Sequence, residues 1–218
     1  MGNAIVAALI SSFPVIAVDK NRAALAKLAG RHAKKGKRLT LCLADLGSAA
    51  GIAKAARAAQ EPLGWIVHTA GFIDKKESMK NLKQKTIEET FAVNLFSYMR
   101  LTSILLPKLK GGAIVISSTA GLWGNPEFPA YAVSKGAVNT FTEVLAHSFE
   151  GGGRRAIAIC PGPTNTNMRE RIARDAAKQQ SPDVIAALVS TIIKEKHYKN
   201  GDIVSVRGGK RRIVGRLT

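Results

Sequence analysis

A parallel α/β sheet wound with helices on both faces is the fold class this sequence predicts, and three observations predict it. Short apolar runs of strand length alternate with stretches of helical periodicity along the whole chain, the pattern of consecutive strand–helix–strand units. The run at 113–116 is apolar throughout, as a strand covered on both faces must be. The 218 residues are enough for one domain with a full core, so 1–218 is expected to be a single domain. Crossovers between successive strands are expected to be right-handed.

The elements follow in order. Residues 1–12 have helical periodicity through Ile5, Ala8 and Leu9, and 13–18 form a strand closed by Asp19. A helix at 22–34 turns Ala24, Leu25, Leu28 and Ala29 inward, and a strand at 38–44 ends at Asp45-Leu46. A helix at 48–59 leads to a strand at 64–69, which stops before Ala70-Gly71. Residues 72–86 are a polar, lysine-rich loop and helix start, expected at the rim of a site. The spacing then predicts one long helix over 86–109, with Asn94 inside it. An asparagine in an apolar helix must find partners or cost stability. The strand at 113–116 leads through Ser117-Ser118-Thr119-Ala120-Gly121 to an amphipathic helix over 131–149. A strand at 154–160 is followed by Pro161-Gly162-Pro163-Thr164-Asn165-Thr166, which reads as a turn. A short charged stretch at 167–180, a helix at 182–196 and a last strand at 201–206 complete the chain before Gly208-Gly209 and a basic tail. No repeat, low-complexity tract or linker interrupts it.

Composition narrows the function. Hydrophobic residues make up 46% of the chain, which excludes disorder. Cys42 and Cys160 both sit in apolar strand-like runs and read as buried free thiols of a reducing cytoplasm, with no disulfide framework and no metal-ligand spacing. The net charge of +18 favours anionic partners, such as phosphorylated cofactors, carrier-bound acyl groups, nucleic acid or acidic membranes. Basic residues gather at 20–38, 75–85, 169–178 and in the tail at 210–216. No aromatic-interleaved basic stretch marks a specific nucleic-acid reader. The apolar start lacks the positive leader of a signal peptide, and Pro14 and Asp19 cut it below membrane-spanning length. Val6 stands where a myristoylation signal needs Ser or Thr. A membrane role is therefore not expected.

Tyr131 and Lys135 are four residues apart, so a helix places both on one face. Only about 0.1% of an ordinary tyrosine is ionised at pH 7, and a fixed cation beside it favours the phenolate. On a surface helix such a pair is usually only a solvated contact. With Ser118 thirteen residues before Tyr131, however, the segment resembles the active-site motif of the short-chain dehydrogenase/reductase family. That resemblance implies a Rossmann-like doubly wound parallel sheet. It also implies an NAD(P)-dependent enzyme that interconverts an alcohol and a carbonyl. Tyr131 would be the general acid/base, Lys135 would lower its pKa and bind the nicotinamide ribose, and Ser118 would hold the substrate oxygen. Asn94 is similar to the asparagine that bends the family's helix and holds a water in the proton relay.

The resemblance also supplies a cofactor site. Asp19 falls seventeen residues after Gly2, close to the acidic ribose ligand of dinucleotide-binding folds. A carboxylate there favours NAD over NADP, although Lys20 and Arg22 alongside could receive a 2′-phosphate, so NADP stays possible. Asp45-Leu46 resembles the pair that contacts adenine, and His68-Thr69-Ala70-Gly71 resembles an Asn-Asn-Ala-Gly segment whose first two positions are changed here. His68 is expected to contribute at most a contact. Pro161, Gly162, Thr164 and Thr166 resemble the turn that meets the nicotinamide carboxamide. Leu122, Trp123 and Phe128 are candidates for the substrate wall, with Ser118 and Tyr131 also facing substrate. The loop at 167–180 takes the place of the family's variable substrate cover. A small-molecule substrate and a homodimer or homotetramer are implied.

The front departs from the family pattern. A first strand and a Thr-Gly-x-x-x-Gly-x-Gly loop are expected to hold the pyrophosphate, and only Gly2 of that loop is present. Three accounts compete: a start placed too late, a variant sheet that closes without the strand, or another segment, such as Ile213-Val214-Gly215, in the gap. In the family that strand is central, so its loss should leave unpaired backbone groups on both flanking strands. This opens a second functional reading, a catalytically silent binding protein for an anionic partner such as nucleic acid.

Overall fold

The structure, a computed structural model, describes residues 1–59, 62–170, 172 and 179–215. Helix α1 (Gly2–Leu9) buries Ile5, Val6 and Leu9. It leads to β1 (Val15–Asp19) and α2 (Arg22–Arg31). The Asn21 side chain caps α2 by accepting from Ala24 N at 3.0 Å. Strand β2 (Leu39–Leu43) and helix α3 (Ala49–Ala58) follow, the helix capped by Ser48 Oγ accepting from Gly51 N at 3.1 Å. Both caps satisfy first-turn N–H groups that the helix itself leaves free. After β3 (Leu63–His68) come α4 (Gln84–Phe91) and α5 (Ser97–Leu105), joined by a π-helical turn at Ala92–Phe96. The single helix expected over 86–109 is thus broken at Asn94, and it stops at Leu105. Strand β4 (Leu109–Ile116) starts four residues earlier than expected. Then come α6 (Ala120–Trp123), α7 (Pro129–His147), β5 (Arg155–Pro161), α8 (Asn167–Glu170), α9 (Pro182–Lys194), β6 (Ile203–Arg207) and β7 (Lys210–Gly215).

The main sheet has the order β3-β4-β5-β6-β7. The first four strands are parallel and β7 returns antiparallel on β6. Its centre is β4 and β5, where Ala113, Ile114, Val115 and every residue from Ala156 to Cys160 are 0% exposed. Helices α1 and α9 cover one face through Ile5, Leu9, Ile185, Leu188 and Ile192, while α5 and α7 contribute to clusters with Tyr98, Val115 and Val138 on the other. The doubly wound class expected from the sequence therefore holds.

Strands β1 and β2 pair in parallel as a separate two-stranded sheet. Among the described residues no ladder joins β1 to β3. Their side chains nevertheless share two clusters: Val15, Trp65 and Val67 pack against one, and Ile16, Val18, Leu63 and Ile66 against another. The edges of β1 and β3 thus line one slot whose apolar sides are only half-buried. This is the consequence expected of a sheet without a central strand.

The proposal that the tail fills that slot is overturned. Ile213 pairs with Val204 and Gly215 with Ile203, at the far edge of the sheet. Gly208 and Gly209, with φ of 54° and 78°, form the tight turn that folds β7 back, because two successive left-handed residues suit a two-residue hairpin. Among the described residues no helix is long and apolar enough to cross a membrane, and no group of three His, Cys, Asp or Glu residues could hold a metal. Residues 171 and 173–178, within the expected basic cluster at 169–178 and loop at 167–180, lie outside the described residues.

Candidate active site

The end of β4 sets the frame. Ser117 N donates to Ile159 O at 2.7 Å and Thr119 N to Pro161 O at 3.0 Å, so the backbone follows β5 beyond the last strand pair before turning into α6. Pro129 occupies the first turn of α7, where its missing N–H costs nothing. Tyr131 follows in the same turn, and Lys135 one turn later. A Cβ at Gly121 would lie 2.5 Å from the Lys135 carbonyl carbon, so only glycine lets α6 cross α7 this closely. Ser117 Oγ donates to Lys135 O at 2.8 Å, which ties α7 to the sheet.

Lys135 is 3% exposed. Its Nζ donates to Ile116 O at 2.8 Å and stands 5.5 Å from the Tyr98 ring and 5.9 Å from the Tyr131 ring. Burial lowers its pKa to about 8, with Cys160 acting in the opposite sense. Tyr131 is half-buried. Burial pushes its phenol above the ordinary value, while Ser118 pulls it down and Cys160 adds to the rise. The expectation that Lys135 brings this phenol down is not met in the protein alone. Loss of water around the phenolate is the larger effect, and the ammonium is turned to the Ile116 carbonyl. Ser118 Oγ itself accepts from Ala120 N at 3.1 Å.

Asn94 lies at the π turn, fully buried. Its Oδ1 accepts from Phe72 N at 2.7 Å, and its Nδ2 donates to Phe72 O at 2.9 Å and to Ser134 Oγ at 3.0 Å. The partners that a buried amide requires are thus found on two other segments. A Cβ at Gly71 would fall 3.8 Å from Asn94 Oδ1 and 4.0 Å from Lys135 Nζ. Gly71, Asn94 and Lys135 therefore converge, with Tyr131 beside them.

The remaining expected residues divide. Ala70 O accepts a short hydrogen bond from the Tyr98 hydroxyl. The His68 ring is buried, stacks on Tyr98 at 4.5 Å and meets Thr102 Oγ1 at 2.7 Å. Burial, with Lys135 adding, lowers its pKa to about 3, so it is neutral and turned into the core. Gly2 sits at the head of α1, where a Cβ would lie 3.5 Å from Thr69 Oγ1. Asp19 and Asp45 stand exposed at the ends of β1 and β2. Asp19 Oδ1 accepts from Asn21 N at 2.9 Å, Asp45 Oδ1 accepts from Gly47 N at 2.9 Å, and Lys20 Nζ lies 3.7 Å from Asp45 Oδ2. Leu46 packs against the cluster around Ile52 and Leu101.

Beyond β5, Gly162 N donates to Val206 O at 2.7 Å, carrying Pro161 and Gly162 along β6. Thr164 is buried; its Oγ1 donates to Gly162 O at 2.9 Å, and Gln180 Nε2 reaches Thr164 Oγ1 at 3.2 Å. Thr166 Oγ1 lies 3.4 Å from Thr164 O. Of the three wall candidates, Phe128 is 6% exposed and lines a pocket beside Tyr131, while Leu122 packs on the cluster of Ala158 and Cys160. Trp123 is 62% exposed and instead receives Arg207 at 5.7 Å over its ring.

That pocket brings in residues the sequence did not single out. Ile73, Asp74, Glu77, Leu82, Thr86 and Thr90 line it with Phe128 and Tyr131. Tyr98, Thr102 and Ser134 are also new, as supports behind His68, Ala70 and Asn94. Only the apolar helix periodicity around Tyr98 hinted at them, because their partners lie far away in sequence.

The family model for short chain dehydrogenases matches residues 1–177. General stress protein 39 of Bacillus subtilis is 28% identical over 196 residues, 82% of this chain and 68% of that protein. Oxidoreductase UcpA of Escherichia coli K12 is 30% identical over 174 residues, 76% of this chain and 66% of that protein. The match thus spans about two thirds of the length of these relatives. Among solved structures, the 3-ketoacyl-(acyl-carrier-protein) reductase from Brucella melitensis complexed with NADH superimposes with a TM-score of 0.86 at 21% identity. That superposition covers 95% of this chain and 92% of the reductase, and at this identity it speaks for the fold.

Proposed function

The chain belongs to the short-chain dehydrogenase family, and from that premise we propose that it is an NAD(P)-dependent oxidoreductase interconverting an alcohol and a ketone or aldehyde. The observation that carries the reading is the convergence of Tyr131, Lys135, Asn94 and Gly71 at the ends of the parallel strands, where open α/β sheets take their ligands.

Tyr131 is the acid/base. With burial holding its phenol protonated near neutral pH, its ready step is donation of the hydroxyl proton to a carbonyl oxygen, and the reverse reaction returns that proton. Ser118 holds the same oxygen and fixes its distance from the phenol. Lys135, two of whose three protons are left after the bond to Ile116 O, steadies the phenolate form and binds the nicotinamide ribose. Asn94 keeps the 72–73 segment and α7 in register through Phe72 and Ser134 and supports a water in the relay.

The residues fit a nicotinamide cofactor at its reactive end. A Cβ at Gly71 would come within 3.3 Å of Met168 Cε, so the glycine leaves its backbone open to close approach, and Pro161, Gly162, Thr164 and Thr166 would supply the turn against the carboxamide. When bound, the cofactor supplies or accepts the hydride. Asp19 and Asp45-Leu46 would meet the adenosine end, and the exposed Asp19 carboxylate favours NAD, since it would repel a 2′-phosphate. Gly2 and the head of α1 are what this chain offers the pyrophosphate. His68 contributes through its backbone, the ring being engaged elsewhere, and Trp123 stands at the outer rim of the substrate side.

A homodimer or homotetramer is supported by Phe96, Met99, Ile104, Val133 and Val144, which expose apolar side chains along the π turn, α5 and α7. The buried free thiols of Cys42 and Cys160 support a reducing, cytoplasmic setting.

The test is Tyr131→Phe. Turnover of a panel of secondary alcohols and ketones should fall by a factor of about 100 or more, while NADH still binds by fluorescence titration. Near wild-type turnover would sink the assignment. A wild-type chain that shows no NADH signal but binds nucleic acid with a steep salt dependence would instead favour the anionic-partner reading.

A further inference from the structure

The pocket beside Tyr131 has apolar walls, among them Ile73, Leu82 and Phe128, two carboxylates, Asp74 and Glu77, and one cation, Lys75. The two carboxylates compete for one donor. Thr86 Oγ1 lies 2.9 Å from Asp74 Oδ2 and 3.4 Å from Glu77 Oε1. A hydroxyl has a single proton to give, and the shorter contact takes it, which leaves Glu77 Oε1 poorly served. The other oxygen, Glu77 Oε2, is buried and has no hydrogen-bond partner among the described residues. A buried acceptor without a donor is costly, and in a native site it calls for a water or a ligand group to complete it.

Glu77 is also held in place. Its backbone N donates to Glu127 O at 3.0 Å, and the neighbouring Lys76 Nζ meets Glu127 Oε1 at 2.7 Å. At the other end of the segment, Phe72 is clamped by Asn94. The carboxylate is therefore presented by a braced segment that shares its pocket with Tyr131.

We propose that Glu77, with Asp74 beside it, is a specificity determinant of this site. It selects substrates that carry a hydrogen-bond donor, a hydroxyl or an ammonium group, at the end away from the reacting carbon. An ionised carboxylate only accepts, so an anionic substrate end brings no donor and meets like charge. The inference rests on the reading of Tyr131 as the acid/base of the same pocket.

Three alcohols test it: 5-amino-2-pentanol, 1,4-pentanediol and 4-hydroxypentanoate share the reacting secondary alcohol and nearly the same length. Wild-type kcat/KM should favour the amine or the diol over the acid by about tenfold or more, and Glu77→Gln should remove that preference mainly through KM. An amine ahead of the diol identifies ammonium as the donor, and the reverse order identifies hydroxyl. Equal use of the three by wild type, or an unchanged ranking in Glu77→Gln, overturns the proposal. Binding of 5-amino-2-pentanol and 1,4-pentanediol is followed in parallel by ligand-observed NMR on the cofactor-free protein. Loss of binding in Glu77→Gln at an unchanged melting temperature supports the proposal, and equal binding refutes it. If Tyr131→Phe leaves turnover intact, the reading of the reaction fails while the binding comparison still decides the role of Glu77.

Discussion

The β4–β5–α7 region and the β1–β2 pair are built from similar apolar strands yet sit in opposite physical states. In the first, whole strand segments are 0% exposed, backbone groups are paired on both sides, and Ser117 and Lys135 lock helix to sheet. In the second, β1 is half-buried from Val15 to Val18, β2 exposes Thr40 and Leu41 beside a buried Cys42, and β1 shares only side-chain clusters with β3. Hydrophobic contact alone brings two sheets together, but the ladder is what completes the burial. The proposed acid/base group, Ser118, Tyr131 and Lys135, hangs from the first region, and the proposed adenosine contacts from the second.

Truncating one isoleucine in each region gives the largest expected contrast. Ile157→Ala, in the fully buried strand, should cost about 3–5 kcal/mol, whereas Ile16→Ala should cost nearer 1–2 kcal/mol because its site is already open to water. Denaturant unfolding of the two variants checks this, and equal losses would break the comparison. A smaller effect concerns pH. Lys135 is held at about 8, below its ordinary 10.5, so the unfolded chain binds more protons in between. Stability should then rise with pH through that window, and the penalty of the buried cation is fully present below it. Cys160, whose thiol burial pushes up to about 11, acts in the opposite sense from about pH 9, and Tyr131, also raised, does so at higher pH, so the clean interval is pH 8 to 9. A gain on the order of 1 kcal/mol is expected there, and Lys135→Met should flatten it in melts recorded across that range. The smallest effect belongs to the front: Lys20→Ala removes a 3.7 Å contact between exposed groups and should change stability by less than about 0.5 kcal/mol. A larger loss would mean that the β1–β2 pair depends on its surface charges.

The strands of both regions were legible in the sequence, β1 and β2 to within two residues. Apolar runs located every parallel strand of the main sheet to within a few residues, because strands buried on both faces carry a dense hydrophobic signal. The first half of β4 escaped, since Lys110, Gly111 and Gly112 have little strand character and are recruited by pairing of Leu109 with Leu63 and of Gly112 with Trp65 and Arg155. The break at Ala92–Phe96 escaped as well. A π turn adds one residue to an otherwise intact helical pattern, and periodicity averages over it. Tyr131 and Lys135 were legible as a pair because helical spacing puts them on one face, whereas Gly71 and Asn94 came from the resemblance to the family. Glu77 was not, because its partners Thr86 and Glu127 come from distant turns of the chain and a lysine-rich loop hides it. His68 was read as contributing at most a contact, and its ring is indeed turned inward, but the direction of that ring toward Thr102 was not visible in the sequence.

The hairpin at Gly208–Gly209 has a consequence for the molecule in solution. It makes β7 the outer border of the main sheet, and Lys210, Arg211 and Arg212 stand exposed along it. A strand border is a template for adding further strands, and a row of like charges is a common guard against that growth. Because such a guard acts through charge, its reach shrinks with the Debye length, from about 30 Å at 0.01 M salt to about 3 Å at 1 M. The protein is therefore expected to stay dispersed in dilute buffer and to self-associate through β7, with Ile213 and Val214 exposed beside the charges, as salt is raised.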